Sequence, residues 1–149
     1  DVLGFPDANT TENDPKTKHP VIHIIEAQKE HMKNRAYGGT MRLGGWDAQV
    51  KSDTRTFEFY KKHGEIDKFG VTSERHRHRY EFNNKFAKDF EDHDLVISAR
   101  AKKENLVEIV ELSQKLHPFY LGTQGHPEYK SRPLKPHPFF IEFLKACVK

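Results

Sequence analysis

The sequence predicts a single α/β domain, because short apolar runs of strand length are mixed with segments of helical character. With 149 residues, of which 35% are hydrophobic and 32% charged, the chain is long enough for one domain with one core. Two segments carry the clearest patterns. Residues 73–82 have strand composition, and the residues from Pro138 onward place apolar side chains at helical spacing.

The first half of the chain predicts a loop followed by two short strands. Residues 7–20 are polar and rich in turn formers, and residues 21–25 form an apolar run of strand length. A charged, helix-prone stretch follows at residues 26–33. The second strand is predicted at residues 40–43, closed by Gly44 and Gly45, and residues 46–72 show no clear period. The apolar residues before Pro6 resemble the end of a helix, so we expect the structure to begin before Asp1.

The second half predicts alternating strands and helices. In residues 73–82, a period of two places Arg75, Arg77 and Arg79 on one face and His76, His78 and Tyr80 on the other. Asn83 or Asn84 is expected to cap a helix that carries Phe86 and Phe90. Further strands are predicted at residues 95–98, 106–112 and 118–123. The last helix begins near Pro138, with an apolar face formed by Phe140, Phe143, Leu144, Cys147 and Val148.

Composition excludes several classes of function. The net charge is +3 and charges of both signs are mixed along the chain, which favours neither nucleic acid nor an anionic membrane as a partner. No apolar run is long enough for a membrane span, and no signal peptide opens the chain. The single cysteine cannot form an internal disulfide, which is typical of a reducing compartment. We therefore expect a soluble, cytoplasmic protein.

His126, Pro127 and Glu128 form the first grouping that could carry chemistry, because they follow the predicted strand at residues 118–123. In open α/β sheets, binding sites lie at the carboxyl ends of strands. An imidazole transfers protons near neutral pH, and a carboxylate within reach fixes its tautomer. The tripeptide alone leaves two interpretations open: an ordinary loop histidine or a catalytic one.

Residues 74–81, with the sequence ERHRHRYE, form the second grouping. As a basic patch they could bind phosphate, although an acidic residue flanks each end. His76 and His78 could ligate zinc, but no third ligand is apparent. The remaining interpretations are a solvated or salt-bridged strand, and an arginine held in a pocket to bind a carboxylate with two hydrogen bonds. The lone thiol of Cys147 lies on the apolar face of the last helix and is interpreted as a small buried hydrophobe rather than a nucleophile.

Three longer strings, in this order, carry a resemblance. They are GGTMRLG at residues 38–44, ERHRHRYE at 74–81, and HPEYKSRP at 126–133 followed by HPFF at 137–140. Together they resemble the glutamine amidotransferase domain of the CTP synthase family. ANTTE at residues 8–12 and HPVI at 19–22 also fit, so the resemblance spans nearly the whole chain and is weakest at 45–72. His-Pro-Glu alone would indicate only the wider class I amidotransferases.

The resemblance implies glutamine hydrolysis by a Cys-His-Glu triad, in which a thiolate attacks the side-chain amide and ammonia leaves as a thioester forms. His126 corresponds to the proton carrier and Glu128 to the group that orients it. Glutamine is a zwitterion, so its pocket needs one fixed charge of each sign. By position in the family motifs, the resemblance implies that Arg79 binds the α-carboxylate and Glu12 the α-ammonium. The family pattern implies no cofactor and no metal in this domain.

The family likeness also implies a doubly wound α/β fold with a largely parallel sheet. Residues 1–149 correspond to the C-terminal portion of the domain, so the N-terminal part, with the nucleophile on its Gly-x-Cys-x-Gly turn and the oxyanion hole, is expected upstream of Asp1. A synthetase domain farther upstream would bind UTP and ATP with Mg²⁺ and use the ammonia to make CTP. The implied full protein is a homo-oligomer, a tetramer, with neither nucleic acid nor membrane as a partner.

Two positions depart from the family pattern. Gly125 stands where members usually carry a bulky phenylalanine, which predicts looser packing around His126, and Asn13 replaces a usual aromatic residue. A second function also stays open: a non-catalytic amidotransferase-like module, kept for assembly or for binding an anionic ligand through Arg75, Arg77 and Arg79. A cysteine in the upstream turn would favour the enzyme, whereas Ser, Gly or Ala there would favour the module.

Overall fold

The computed structural model describes residues 3–24 and 41–148, and over these ranges it confirms the α/β class. The strands are β1 (Ala8–Thr10), β2 (His19–Ile24), β3 (Arg42–Val50), β4 (Val71–His78), β5 (Tyr80–Phe82), β6 (Leu95–Ala101), β7 (Val107–Leu112) and β8 (Leu121–Thr123). The α-helices are α1 (Arg55–His63), α2 (Ala87–Glu91) and α3 (Pro138–Cys147), with short 3-10 helices at Asn84–Phe86 and Pro127–Tyr129. The helix-prone stretch at residues 26–33 lies outside the described residues.

The strands form two sheets, and their pairing corrects the predicted topology. The larger sheet has the order β4-β3-β6-β7-β8, and every neighbouring pair in it is antiparallel. The smaller sheet has the order β1-β2-β5, in which only β1 and β2 are parallel. Residues 102–106 and 113–120 simply reverse the chain between neighbouring strands, whereas a parallel pair needs a long crossover. The expected doubly wound, largely parallel sheet is therefore wrong for the described residues.

Strand β3 continues through the two glycines that were predicted to end it. Gly44 pairs with His76 and Gly45 pairs with Arg75, so the ladder with β4 is unbroken. Gly44 has a φ of 83°, a left-handed value that glycine adopts without strain. The glycines therefore mark a local irregularity inside a strand rather than a turn, and the rest of β3 occupies the start of the segment that showed no period.

Strand β4 alternates as its sequence predicts. Glu74 and His76 are buried, whereas Arg75 and Arg77 are exposed. The strand ends at His78, one residue before the next strand begins in the other sheet. This crossing between sheets places the arginine-rich segment at the junction of the two sheets, beside the loop that follows β8.

Asn83 caps the 3-10 helix before α2, as predicted, because its side chain accepts a hydrogen bond from the peptide N–H of Lys85.

Two apolar clusters fill the core. Phe86 and Phe90 then pack against the first cluster, which consists of Phe82, Ala87, Ile97 and Val107. The second cluster holds α1 and α3 on the larger sheet and consists of Ala48, Val50, Tyr60, Ala99, Ile109 and Phe139.

Helix α3 begins at Pro138 as predicted, but it buries a different side chain. His137 caps the helix by accepting the peptide N–H of Phe139, and the Phe139 ring packs on Tyr60 with 4.9 Å between centroids. The predicted apolar face, formed by Phe140, Phe143, Leu144, Cys147 and Val148, is exposed. The expected burial of Cys147 is therefore wrong, because helical spacing identifies an apolar stripe but not the side of the helix that packs on the sheet.

Within the described ranges, no helix is long and apolar enough to cross a bilayer.

Candidate active site

The backbone of His126 is attached to the edge of the larger sheet. His126 follows the carboxyl end of β8 and directly precedes the 3-10 helix Pro127–Tyr129. Its peptide N–H donates to the carbonyl oxygen of Arg75 in β4, with an N···O distance of 2.7 Å. Pro127 at the start of the helical turn fixes its own φ and needs no hydrogen-bond partner for its nitrogen. The loop is therefore held at a defined distance from β4.

The side chains of His126 and Glu128 form a hydrogen-bonded pair, with 2.8 Å between Nδ1 and Oε1. An ionised carboxylate only accepts hydrogen bonds, so the proton lies on Nδ1 and Nε2 carries the lone pair. Although desolvation acts in the opposite direction, the hydrogen bond from His126 lowers the pKa of the Glu128 carboxyl. The imidazole is 31% exposed and accessible to a reactant. This arrangement can accept a proton at Nε2 and stabilise the imidazolium that results.

Two aromatic rings lie nearly parallel to the His126 ring. The Tyr129 ring is 5.4 Å from it between centroids at an angle of 23°, and the His78 ring is 6.5 Å away at 22°. Arg77 holds Tyr129 by donating from Nη1 to the phenol oxygen at 2.8 Å. Strand β4 therefore contributes both the backbone partner of His126 and groups that surround its ring.

Glu12 and Arg79 line the same pocket, which has a volume of about 360 Å³. Glu12 comes from the loop after β1, and Arg79 lies between β4 and β5, so the two charges approach from different elements. His78 also lines the pocket and connects it to His126 through the ring contact described above. The four residues singled out in the sequence therefore lie in one region of the molecule. Arg79 and Glu12 line the pocket, and the His126–Glu128 pair is next to it, beside the His78 ring.

His76 and His78 bind one another rather than presenting a metal site. Nδ1 of His76 and Nε2 of His78 are 2.8 Å apart. In the part of the chain that the structure describes, no group of three or more His, Cys, Asp or Glu side chains could hold a metal ion. Burial, together with the charge of Arg42, lowers the pKa of His76 to about 3, and burial lowers that of His78 to about 4. Both imidazoles are therefore neutral at physiological pH.

The Glu74 side chain links β4 to helices α1 and α3, close to the loop that carries His126. Its Oε1 accepts a hydrogen bond from the Tyr60 hydroxyl at 2.9 Å and lies 2.8 Å from Nε2 of His137. Because Nδ1 of His137 accepts the Phe139 N–H, Nε2 carries the proton and donates. These contacts attach α1 and the start of α3 to β4.

Gly125 packs directly against the Glu74 side chain, and a Cβ at Gly125 would lie 2.9 Å from Glu74 Cβ. The structure thus shows close packing at Gly125 rather than the looser packing expected.

Replacement of Gly125 by Ala is expected to destabilise the protein by about 1 to 3 kcal/mol, because the added methyl overpacks a buried site. Glu74 cannot move away without losing its bonds to Tyr60 and His137. Urea unfolding of the variant and the parent measures the difference. Gly45→Ala is the matched control, because a Cβ there would make only an ordinary contact at 3.5 Å with the Ser73 hydroxyl. Equal stability of the two variants would contradict the packing described for Gly125.

Sequence reasoning missed a buried charge cluster beneath the site. Arg42 hydrogen-bonds to Glu108 and lies 3.4 Å from Oε2 of Glu81, and all three side chains are buried. Glu108 belongs to a strand whose apolar residues suggested a plain core element. The available signal was a carboxylate at an inward position of β7, but its partner is 66 residues away in the sequence and no local pattern connects them.

Comparison with known proteins identifies the family. The family model described as glutamine amidotransferase class-I matches residues 21–146. This match covers most of the chain and includes His126, Glu128 and Arg79. The chain therefore belongs to the class I glutamine amidotransferase family.

Within this family, the individual proteins to which the chain is similar are CTP synthases. The chain is 49% identical to CTP synthase from Aquifex aeolicus over 148 residues, and 48% identical to CTP synthase from a Hydrogenobaculum strain over 144 residues. These alignments cover 99% and 97% of this chain but only 26% and 25% of the relatives. The structure is also similar to the glutaminase domain of Trypanosoma brucei CTPS with bound acivicin, with a TM-score of 0.83 and 31% identity over 99% of this chain and 53% of that one. The resemblance noted in the sequence is confirmed.

Proposed function

We propose that this chain supplies the proton carrier and the substrate-binding charges of a glutaminase domain, and that the complete protein uses the ammonia to convert UTP into CTP. The observation that carries the proposal is the His126–Glu128 pair, with 2.8 Å between Nδ1 and Oε1, beside a pocket lined by Arg79 and Glu12. The similarity to CTP synthases over nearly the whole chain supports the choice of reaction.

In the proposed mechanism, Nε2 of His126 takes the proton of a cysteine thiol. The thiolate attacks the side-chain carbonyl carbon of glutamine, and His126 returns the proton to the departing nitrogen, so that ammonia leaves and a thioester remains. His126 then takes a proton from water as the water attacks the thioester, and it passes that proton to the departing sulfur, which releases glutamate and restores the thiol. Glu128 remains ionised and stabilises the imidazolium in both steps. One glutamine and one water thus yield one glutamate and one ammonia.

The pocket at the junction of the two sheets fits the remainder of the substrate. Free glutamine carries an α-carboxylate and an α-ammonium, and only the amide end reacts. Arg79 offers a planar guanidinium that binds a carboxylate with two hydrogen bonds, and Glu12 offers the opposite charge for the ammonium. With these ends held, the side chain would extend past His78 toward His126, which limits the substrate by length and charge.

The nucleophile of this proposal is not Cys147, because that thiol lies at the last residue of α3 and does not line the pocket with Arg79 and Glu12. We assign it to a cysteine upstream of Asp1, with residues 1–149 as the C-terminal portion of the domain. An upstream synthetase domain binds UTP and ATP with Mg²⁺, in a cytoplasmic homotetramer, and this domain needs no cofactor. A complete protein in which Ser, Gly or Ala replaces that cysteine, and which hydrolyses no glutamine, would instead be the non-catalytic module.

The Glu128→Gln variant of the complete protein tests the role of the carboxylate. The amide keeps the shape and an acceptor oxygen for Nδ1–H but removes the charge that stabilises the imidazolium, so we expect kcat for glutamine hydrolysis to fall roughly 10- to 100-fold. CTP formation from added ammonium should be unchanged, and measuring both reactions in one preparation provides the control. Unchanged glutamine hydrolysis would remove Glu128 from the proposed triad.

A further inference from the structure

His78 is held by hydrogen bonds at both of its ring nitrogens. Nδ1 lies 3.1 Å from the carbonyl oxygen of Tyr80, which can only accept, so Nδ1 carries the proton. Nε2 of His78 is then the acceptor for the proton on Nδ1 of His76, 2.8 Å away. The tautomers of both rings follow from this one carbonyl, and neither nitrogen of His78 is left to bind or protonate a substrate.

The far end of this histidine pair contacts the buried charge cluster. Nε2 of His76 carries a lone pair and lies 3.5 Å from Oε2 of Glu108, while the other oxygen of Glu108 accepts from Arg42. Burial raises the pKa of Glu108, and that of Glu81 rises to about 7 for the same reason, despite the shared guanidinium. The histidine pair therefore ends at a cluster of two buried carboxyl groups that share one guanidinium.

The geometry points to His78 as a positioning residue for His126, acting through ring contact from a fixed, doubly hydrogen-bonded orientation. The two rings are nearly parallel, at 22°, with 6.5 Å between centroids, and His78 also lines the pocket together with Glu12 and Arg79. This inference rests on the proposed function of His126. According to this inference, the segment from His78 to Arg79, at the end of β4, both binds the substrate and fixes the direction in which His126 faces.

The neutral state of His78 is part of this role. Among the described residues, the charged or titratable groups around His78 are Arg42, His76 and His126, together with Glu12, Arg77 and Arg79, which line the same pocket. Arg42 and His126 both disfavour a proton on His78. A second cation beside His126 would oppose the imidazolium that forms when His126 takes the thiol proton. Burial keeps His78 uncharged, so the imidazolium forms beside a neutral ring rather than beside another positive charge.

The test compares His78→Ala with His78→Phe in the complete protein. Loss of the ring in His78→Ala is expected to lower kcat for glutamine hydrolysis about 10- to 100-fold, the effect of misplacing a catalytic group, with a smaller change in KM because His78 also lines the substrate pocket. His78→Phe restores a neutral aromatic ring without the two hydrogen bonds, so it should recover part of kcat, and no recovery over His78→Ala would contradict the role of ring contact. His117→Ala is the matched control, because His117 is an exposed histidine in the connection between β7 and β8, and it should behave as the parent.

The outcomes separate this inference from the function on which it rests. If His126→Asn leaves glutamine hydrolysis intact, the proposed function fails. If His126→Asn removes hydrolysis but His78→Ala behaves like His117→Ala, only the role of His78 is overturned. A loss of ammonia-dependent CTP formation in both His78 variants would show that the residue acts on folding alone, and this too would overturn the inference.

Discussion

Replacement of His126 by Asn in the complete protein is expected to lower glutamine-dependent CTP formation by about 10² to 10⁴, the range typical of general acid–base groups. The asparagine amide can still donate to Glu128, so the loop keeps its hydrogen bond, but no basic nitrogen remains to take the thiol proton. CTP formation from ammonium salts should continue at the parental rate, because free ammonia bypasses the glutaminase site. The ratio of the two rates in a single preparation is the measurement.

The Cys147→Ser variant is the control for this experiment, because it removes the thiol of this chain at an exposed position. It should leave both reactions unchanged, whereas a loss confined to glutamine would make Cys147 the nucleophile. Equal loss of both reactions in His126→Asn would mean that the residue supports the fold or the synthetase rather than glutamine hydrolysis. The contrast between the two nitrogen sources therefore distinguishes a chemical role from a structural one.

The features that sequence reasoning anticipated are local ones. The burial alternation of β4, the cap at Asn83 and the start of α3 at Pro138 all depend on neighbours within a few residues. The contact between His126 and Glu128 is of the same kind, since two residues flanking a proline in a tight turn are close in almost any fold. Local patterns of this type predict the structure correctly because backbone geometry alone determines which side chains share a face or a turn.

The features that it missed depend on partners that are distant in sequence. The antiparallel order of the larger sheet follows from how the connections reverse the chain, and strand patterns alone do not distinguish this order from a parallel one. Glu108 lies in an apolar run, and its charge partner, Arg42, belongs to another strand. No local pattern therefore marks Glu108 as part of a buried ion pair. Likewise, the buried side of α3 is determined by the contact of Phe139 with Tyr60, which a helical period does not specify.

Replacement of Arg79 by Ala is expected to raise KM for glutamine about 30- to 1,000-fold, because losing a charge-assisted, two-pronged contact in a partly buried site costs on the order of 2 to 4 kcal/mol. The effect should fall on KM and kcat/KM more than on kcat, since the α-carboxylate takes no part in the chemistry. Arg79→Lys should recover little, because an ammonium cannot match both carboxylate oxygens at once. Steady-state glutamine hydrolysis by the complete protein gives these constants.

The matched control for Arg79 is Arg100→Ala, which removes an arginine of β6 whose guanidinium donates to the nearby Asn84 side chain and Asn105 carbonyl. This variant should keep the parental KM, and ammonia-dependent CTP formation should be normal in both variants. Glu12→Gln should raise KM in the same direction as Arg79→Ala, because it removes the charge opposite the α-ammonium. If Arg79→Ala left KM for glutamine unchanged, the arginine-rich strand would be structural only, and the substrate's carboxylate would have to bind elsewhere.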